Sequence, residues 1–144
     1  MSAGAGFNWL LFVLIVLSLR LQGADTRARD LNGQVFDPFA ESTAGTIVLI
    51  FVATDCPISN RYAPVVNDLA VTFSSPNLRF FAVYPDATAT ASAIRKHREE
   101  YGYKLPALLD PDHSLVRRAG ATVTPEVAVF LLSPEAGASP LLIY

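Results

Sequence analysis

The stretch FVATDCPISNRYAP, Phe51 to Pro64, holds the only cysteine of the 144-residue chain. Upstream, TIVLIFVAT (Thr46 to Thr54) is an apolar, β-branched run of the kind made by a central strand covered on both faces. Downstream the period changes. Tyr62, Val66, Leu69 and Phe73 recur at helical spacing with Ala70 widening the stripe, so Tyr62 is expected in the core. Pro57 suits the first helical position, where its missing N–H is one that a helix start leaves unpaired anyway. Cys56 is therefore expected where a strand's carboxyl end meets the next helix, the place where reactive groups collect in α/β sheets. Unpaired amides and the positive end of the helix dipole there favour thiolate over thiol, below the free value of about 8.5. Asp55 opposes this shift if its carboxylate points the same way.

Working outward, DLNGQVF (Asp30 to Phe36) places Asn-Gly between apolar positions, a hairpin signal. LRFFAVY (Leu78 to Tyr84) reads as a second buried strand. Residues Ala87 to Tyr103 read as a helix with Gly102 as its stop. ALLD (Ala107 to Asp110) is a short strand, SLVRRAG (Ser114 to Gly120) a short helix, and EVAVFLL (Glu126 to Leu132) a third good strand. LLIY, at the end, reads as the start of one more. Alternating strands and helices imply an α/β fold with a central mixed, mostly parallel sheet flanked by helices. Whether the fold is complete or truncated at its C-terminus stays open at this point.

Half of the residues are apolar, 17% are charged and the net charge is −2, which describes a globular domain. No basic field awaits a phosphate backbone, so nucleic acid binding is not expected. Trp9 to Leu19, WLLFVLIVLSL, is an apolar run of eleven, short of the roughly 20 residues that span a bilayer. It fits a secretory signal over residues 1–24, with small residues at Gly23 and Ala24 where cleavage could fall. The absence of Lys or Arg before it, and Gln22 near the cut, leave an uncleaved membrane anchor as the alternative. Either way the domain is expected over residues 25–144 and outside the cytosol, in a periplasmic or extracellular setting.

A single cysteine in an exported chain cannot form an internal disulfide; its thiol is paired elsewhere, reactive, or simply buried. The local sequence favours reactivity. CPISNRYAP resembles the active-site turn and helix of the thioredoxin superfamily, with Pro64, preceded by Ala63, eight residues after Cys56. GATVTPEVAVF (Gly120 to Phe130) resembles the segment carrying that family's cis-proline, which would be Pro125, preceded by Thr124. LLDPDHSLVRRAGATVTPEVAVF resembles the redoxin branch, which includes the alkyl hydroperoxide reductase/thiol-specific antioxidant family. The resemblance implies a thioredoxin-like fold over roughly Asp30 to Leu132. It makes Cys56 and Ser59 the catalytic positions, and Pro57, Thr124 and Pro125 the walls of the substrate groove. No cofactor or metal is implied; the partners would be an external thiol reductant or a partner disulfide.

The departures bear on activity. Ser59 stands where the resolving cysteine would be, so an internal thiol cannot release a mixed disulfide. Peroxiredoxins need a proline seven and a threonine three residues before their cysteine; Leu49 and Ala53 occupy those positions. The expected function is a single-thiol redox protein, with disulfide exchange preferred over peroxide reduction. The alternative is a non-catalytic binding module of a larger exported protein. Copper delivery would need a second cysteine. Arg61, one turn beyond Cys56, is a candidate to support a thiolate, although a solvent-facing arginine is the simpler reading. His97, in the charged RKHREEY, is read as solvated. Among the polar residues around His113, Asp112 or Ser114 is expected to cap the following helix.

Overall fold

The structure is a computed structural model that describes residues 26–40, 45–135 and 138–144. The leader expected over residues 1–24 lies outside the described residues. The strands are β1 (Ala28–Arg29), β2 (Val35–Phe36), β3 (Gly45–Phe51), β4 (Leu78–Tyr84), β5 (Ala107–Leu109), β6 (Glu126–Leu132) and β7 (Leu141–Leu142). Among the described residues the helices are α1 (Pro57–Thr72), α2 (Ala91–Tyr101) and α3 (Ser114–Ala119).

All seven strands form one sheet in the order β2-β1-β5-β4-β3-β6-β7. The sheet is mixed, with parallel pairing confined to its centre, β3 with β4 and β4 with β5. Both margins pair antiparallel. Parallel neighbours need crossovers, which α1 and α2 supply; two crossovers of one hand running the same way leave both helices on one face. β6 instead returns to the far side of β3, and α3 packs on the opposite face. LLIY does enter a last strand, β7, antiparallel to β6.

This layering explains the unbroken apolar run. Ile47, Leu49 and Phe51 join one core with Phe81, Val83, Phe130 and Leu115 of α3. Val48, Ile50 and Val52 join the other with Tyr84, Ala63 and Val66 of α1 and Ile94 of α2. Side chains alternate faces along a strand, so a sheet covered on both sides wants apolar residues at every position. Gly45 begins β3 at φ 128, and a Cβ there would collide with the Asn77 carbonyl that receives the Thr46 amide.

The hairpin over Asp30–Gln34 forms as expected. The Asp30 carboxylate accepts the amides of Asn32 and Gln34 at 2.8 and 2.9 Å, and Gly33 takes φ 82. α2 starts later than expected, at the Thr90 cap, because the Asp86 carboxylate first folds the chain into a turn, accepting the Thr88 amide at 2.7 Å. Gly102 ends α2 in the left-handed conformation, as expected.

The inward stripe of α1 is corrected. Ser59, Ala63 and Val66 are buried, whereas Tyr62, Leu69 and Phe73 are exposed. The small residues face the sheet because α1 packs close upon it, and the large apolar ones are left outside.

Candidate active site

After β3, the Val52 amide still bonds to the Val83 carbonyl, then the chain turns through Thr54 and Asp55. Cys56 follows as the N-cap of α1, with extended backbone and Pro57 in the first turn. Its half-buried sulfur receives the Ser59 amide at 3.5 Å, the bond an N-cap acceptor makes with the third helical residue. No acidic residue occupies the first turn of α1. The thiol is held below its ordinary range, first by the Ser59 hydroxyl, then by the Ser59 amide, with Thr124 and the Ile58 amide adding to it. Partial burial pulls the other way. The Ser59 hydroxyl is itself enclosed and makes no hydrogen bond of ordinary geometry, so its influence on sulfur is one of proximity.

Across from α1, the loop entering β6 brings Thr124 and Pro125 to the same sulfur. The Thr124–Pro125 peptide is cis, and the Cys56 thiol donates to the Thr124 carbonyl oxygen at 3.3 Å. Glu126 ties the loop from behind: one carboxylate oxygen accepts the amides of Thr122 at 2.6 Å and Val123 at 3.0 Å. Those two amides hold its carboxyl below the usual carboxylate range. Beside the loop runs a groove of about 870 Å³, walled by Ile58, Tyr62, Val123, Pro125, Val127 and Tyr144. Tyr62 is therefore groove wall and not core.

Beneath the first turn of α1 lies a buried polar cluster that corrects the reading of His97. Only 4% of His97 is exposed. It follows Ile94 by three positions, so both point inward from α2 despite the charged neighbours. Its Nε2 meets Asn60 Oδ1 at 2.7 Å and its Nδ1 the Tyr84 hydroxyl at 3.1 Å. The ring stacks on Tyr103, with centroids 5.4 Å apart. Tyr103 donates its hydroxyl to the Ser59 carbonyl at 2.6 Å. Burial, with the nearby Cys56 adding to it, leaves Tyr103 pushed up to about 12. Burial likewise drives Tyr84 up, and it lowers His97 against the pull of Glu100.

Cys56, Ser59, Pro57, Thr124 and Pro125 thus share one locality. Arg61 and Asp55 are exposed, and neither is among the groups that shift Cys56. The helix cap near His113 is corrected too. His113 takes the N-cap position of α3 in a left-handed conformation, φ 54, without a side-chain cap bond. Its Nε2 turns instead to the Pro85 carbonyl at 2.8 Å. The capping group is Asp110, fully buried, whose two oxygens accept the amides of Ser114, Leu115 and Val116 at 2.7, 3.0 and 2.9 Å. Three residues near the site were missed from sequence: Glu126, Tyr103 and Asn60. An acidic residue after the proline was the one local signal for the first; the other two act across folds of the chain that no spacing reveals.

A family model described as the AhpC/TSA family matches residues 22–137. No curated protein matches the chain. Among solved structures, it is similar to a secreted Mycobacterium tuberculosis disulfide oxidoreductase homologous to E. coli DsbE. The TM-score there is 0.59 with 21% identity, over 81% of each chain. It is similar to MTB dsbF with a TM-score of 0.61 and 25% identity, over 82% of this chain and 84% of that one. A thioredoxin-like protein from Aeropyrum pernix superposes with a TM-score of 0.65 and 16% identity, over 94% and 87% of the two chains. These likenesses show the thioredoxin-like fold. With one family model spanning most of its length, the chain belongs to the AhpC/TSA family.

Proposed function

We propose that this chain is an exported thiol redox protein that exchanges disulfides through Cys56 alone. The reading rests on the seat of the sulfur: half exposed, at the N-cap of α1, receiving the Ser59 amide, and more acidic than a free thiol. The Cys56 thiolate attacks one sulfur of a partner disulfide. A mixed disulfide forms as the partner bond breaks, and the departing thiolate takes a proton from solvent. An external thiol, as thiolate, then attacks the mixed disulfide, restores Cys56 and leaves joined to the partner sulfur. Ser59 supports the anion, while Pro57, Thr124 and Pro125 border the groove that receives the partner.

Peroxide reduction is the neighbouring chemistry. There the thiolate would take one oxygen from a hydroperoxide, giving a sulfenic acid and an alcohol. Leu49 and Ala53, in place of the peroxidase proline and threonine, favour exchange. Export is read from the apolar leader, with the domain over residues 25–144; the M. tuberculosis disulfide oxidoreductase of similar fold is itself secreted. A second reading, a binding module without turnover, is favoured by one observation: Ser59 removes the internal release step.

The test is intact mass and peptide mapping after incubation with glutathione disulfide at neutral pH. A glutathione adduct at Cys56, removed by dithiothreitol and absent in Cys56→Ser, is expected. No adduct, with a thiol that alkylates only near pH 8.5, would leave the binding module. A sulfenic acid trapped after peroxide, without glutathione exchange, would move the reading to peroxide.

A further inference from the structure

We propose that Tyr103 and His97 are positioning residues for Cys56: from beneath, they fix the Ser59 carbonyl and the Asn60 side chain and so aim the Ser59 amide at the sulfur. The inference rests on the redox reading above and assigns work to a buried cluster that the exchange chemistry does not touch.

The first turn of α1 needs such support. Its opening hydrogen bond runs from the Asn60 amide to the Cys56 carbonyl at 3.1 Å. One turn on, Pro64 has no N–H to offer the Asn60 carbonyl, so the helical ladder misses a bond directly behind the turn that faces Cys56. Two contacts from elsewhere in the chain fall on the two residues concerned. Tyr103 bonds the Ser59 carbonyl from the segment after α2, and His97 of α2 bonds the Asn60 side chain.

The hydrogen bonds fit together in one direction. A neutral imidazole has one donor and one acceptor nitrogen. If the Tyr84 hydroxyl donates to Nδ1, Nε2–H donates to Asn60 Oδ1 and every member is satisfied. Protonating His97 would remove the Nδ1 acceptor to which the buried Tyr84 hydroxyl donates and turn that hydroxyl into an acceptor, and burial of the ring opposes the charge. The charged neighbours are few: Glu100 acts on His97 and Arg98 on Tyr84.

Burying two phenols and an imidazole is costly unless each polar atom is paired, and apolar residues of similar size would fill the space at less cost. The pairings converge on a single turn. Ser59, the residue they hold, is also the one whose amide and hydroxyl act on Cys56.

The experiment is the rate of Cys56 alkylation by iodoacetamide against pH, in the full chain and in Tyr103→Phe and Asn60→Ala. Tyr103→Phe keeps the ring stacked on His97 and deletes only the bond to Ser59. Both variants are expected to titrate at higher pH, with the rate at pH 6.5 falling about threefold to tenfold and the plateau at high pH unchanged. Asn60 is half-buried, so its variant remains informative if the phenol proves necessary for folding. A low midpoint in the parent with superimposable variant profiles would overturn the positioning role alone. An ordinary thiol midpoint in the parent would instead overturn the redox reading on which it rests.

Discussion

The sulfur of Cys56 stands 3.3 Å from the carbonyl oxygen of Thr124, 68 positions away in the chain. Thr124 meets both protonation states of that sulfur: its carbonyl accepts from the thiol, while its side chain favours the anion. A carbonyl can only accept, so this bond belongs to the thiol, whereas the Ser59 amide belongs to the anion. Losing the proton therefore breaks the bond to the Thr124 carbonyl and leaves the anion to the Ser59 and Ile58 donors and the Thr124 side chain. The Thr124 carbonyl is then free to accept an N–H from whatever enters the groove.

If Ser59 acts through its hydroxyl, Ser59→Ala separates acidity from stability. The hydroxyl is the largest cause of the low thiol titration, yet it is buried without an ordinary hydrogen-bond partner. The variant should titrate closer to the free value of about 8.5. Its melting point should hold or rise slightly, since an unpaired buried polar group is removed. An alkylation profile and a thermal melt on one sample check both, and an unmoved titration would deny the hydroxyl its role.

Ser59→Cys should restore an internal release step. Position 59 is the third residue of α1, already within reach of the Cys56 sulfur through its own amide. Mild oxidation is expected to yield a species lighter by two hydrogens in which neither thiol alkylates. Persistent glutathione adducts at Cys56 would show that residue 59 cannot reach the mixed disulfide.

Much of this was legible in sequence where local chemistry decides the outcome. The β3 run, Pro57 after Cys56, Gly102 and Gly33 all act on their immediate neighbours. The spacing of Cys56 to Pro64, and the run from Gly120 to Phe130, pointed to the fold that the family match supports. Legibility failed where tertiary packing overrode composition. His97 looks solvated because Arg, Lys and Glu surround it, yet its three-residue spacing from Ile94 turns it inward. Tyr62 sits at a helical period but borders an open groove. Asp110 directly follows β5 and caps a helix that starts four residues later, a partnership that single-residue capping rules miss.

Glu126 should make the domain acid-sensitive through its loop. Its carboxyl titrates below the ordinary range because the Thr122 and Val123 amides bond the anion. A depressed folded value means a contribution present above the unfolded value near 4.3 and lost as pH falls through the folded one. Glu126→Gln retains an acceptor but has no such titration. Between about pH 6 and pH 3.5 the parent should therefore lose more stability to urea than Glu126→Gln does, in paired urea titrations. Equal losses would show that the carboxylate does not tie the loop.

Asp110 offers the severest test of what holds the lower part of the fold together. Fully buried, it satisfies three consecutive amides at the start of α3 and also receives the Ser114 hydroxyl at 2.9 Å. That hydroxyl additionally reaches the Arg27 carbonyl at 2.7 Å, so the cap joins α3 to the segment preceding the first hairpin. Asp110→Ala leaves the Ser114, Leu115 and Val116 amides without their acceptor, while the Ser114 hydroxyl keeps the Arg27 carbonyl. The cost should be about 2–4 kcal/mol, from a lost cap plus unsatisfied buried groups. For a domain of this size that corresponds to a fall in melting temperature of roughly 10 °C or more. Asp110→Asn keeps one acceptor oxygen and should fall between the two. A melting point for Asp110→Ala within about 2 °C of the parent would mean that the α3 amides find other partners and that the cap is not what anchors this helix.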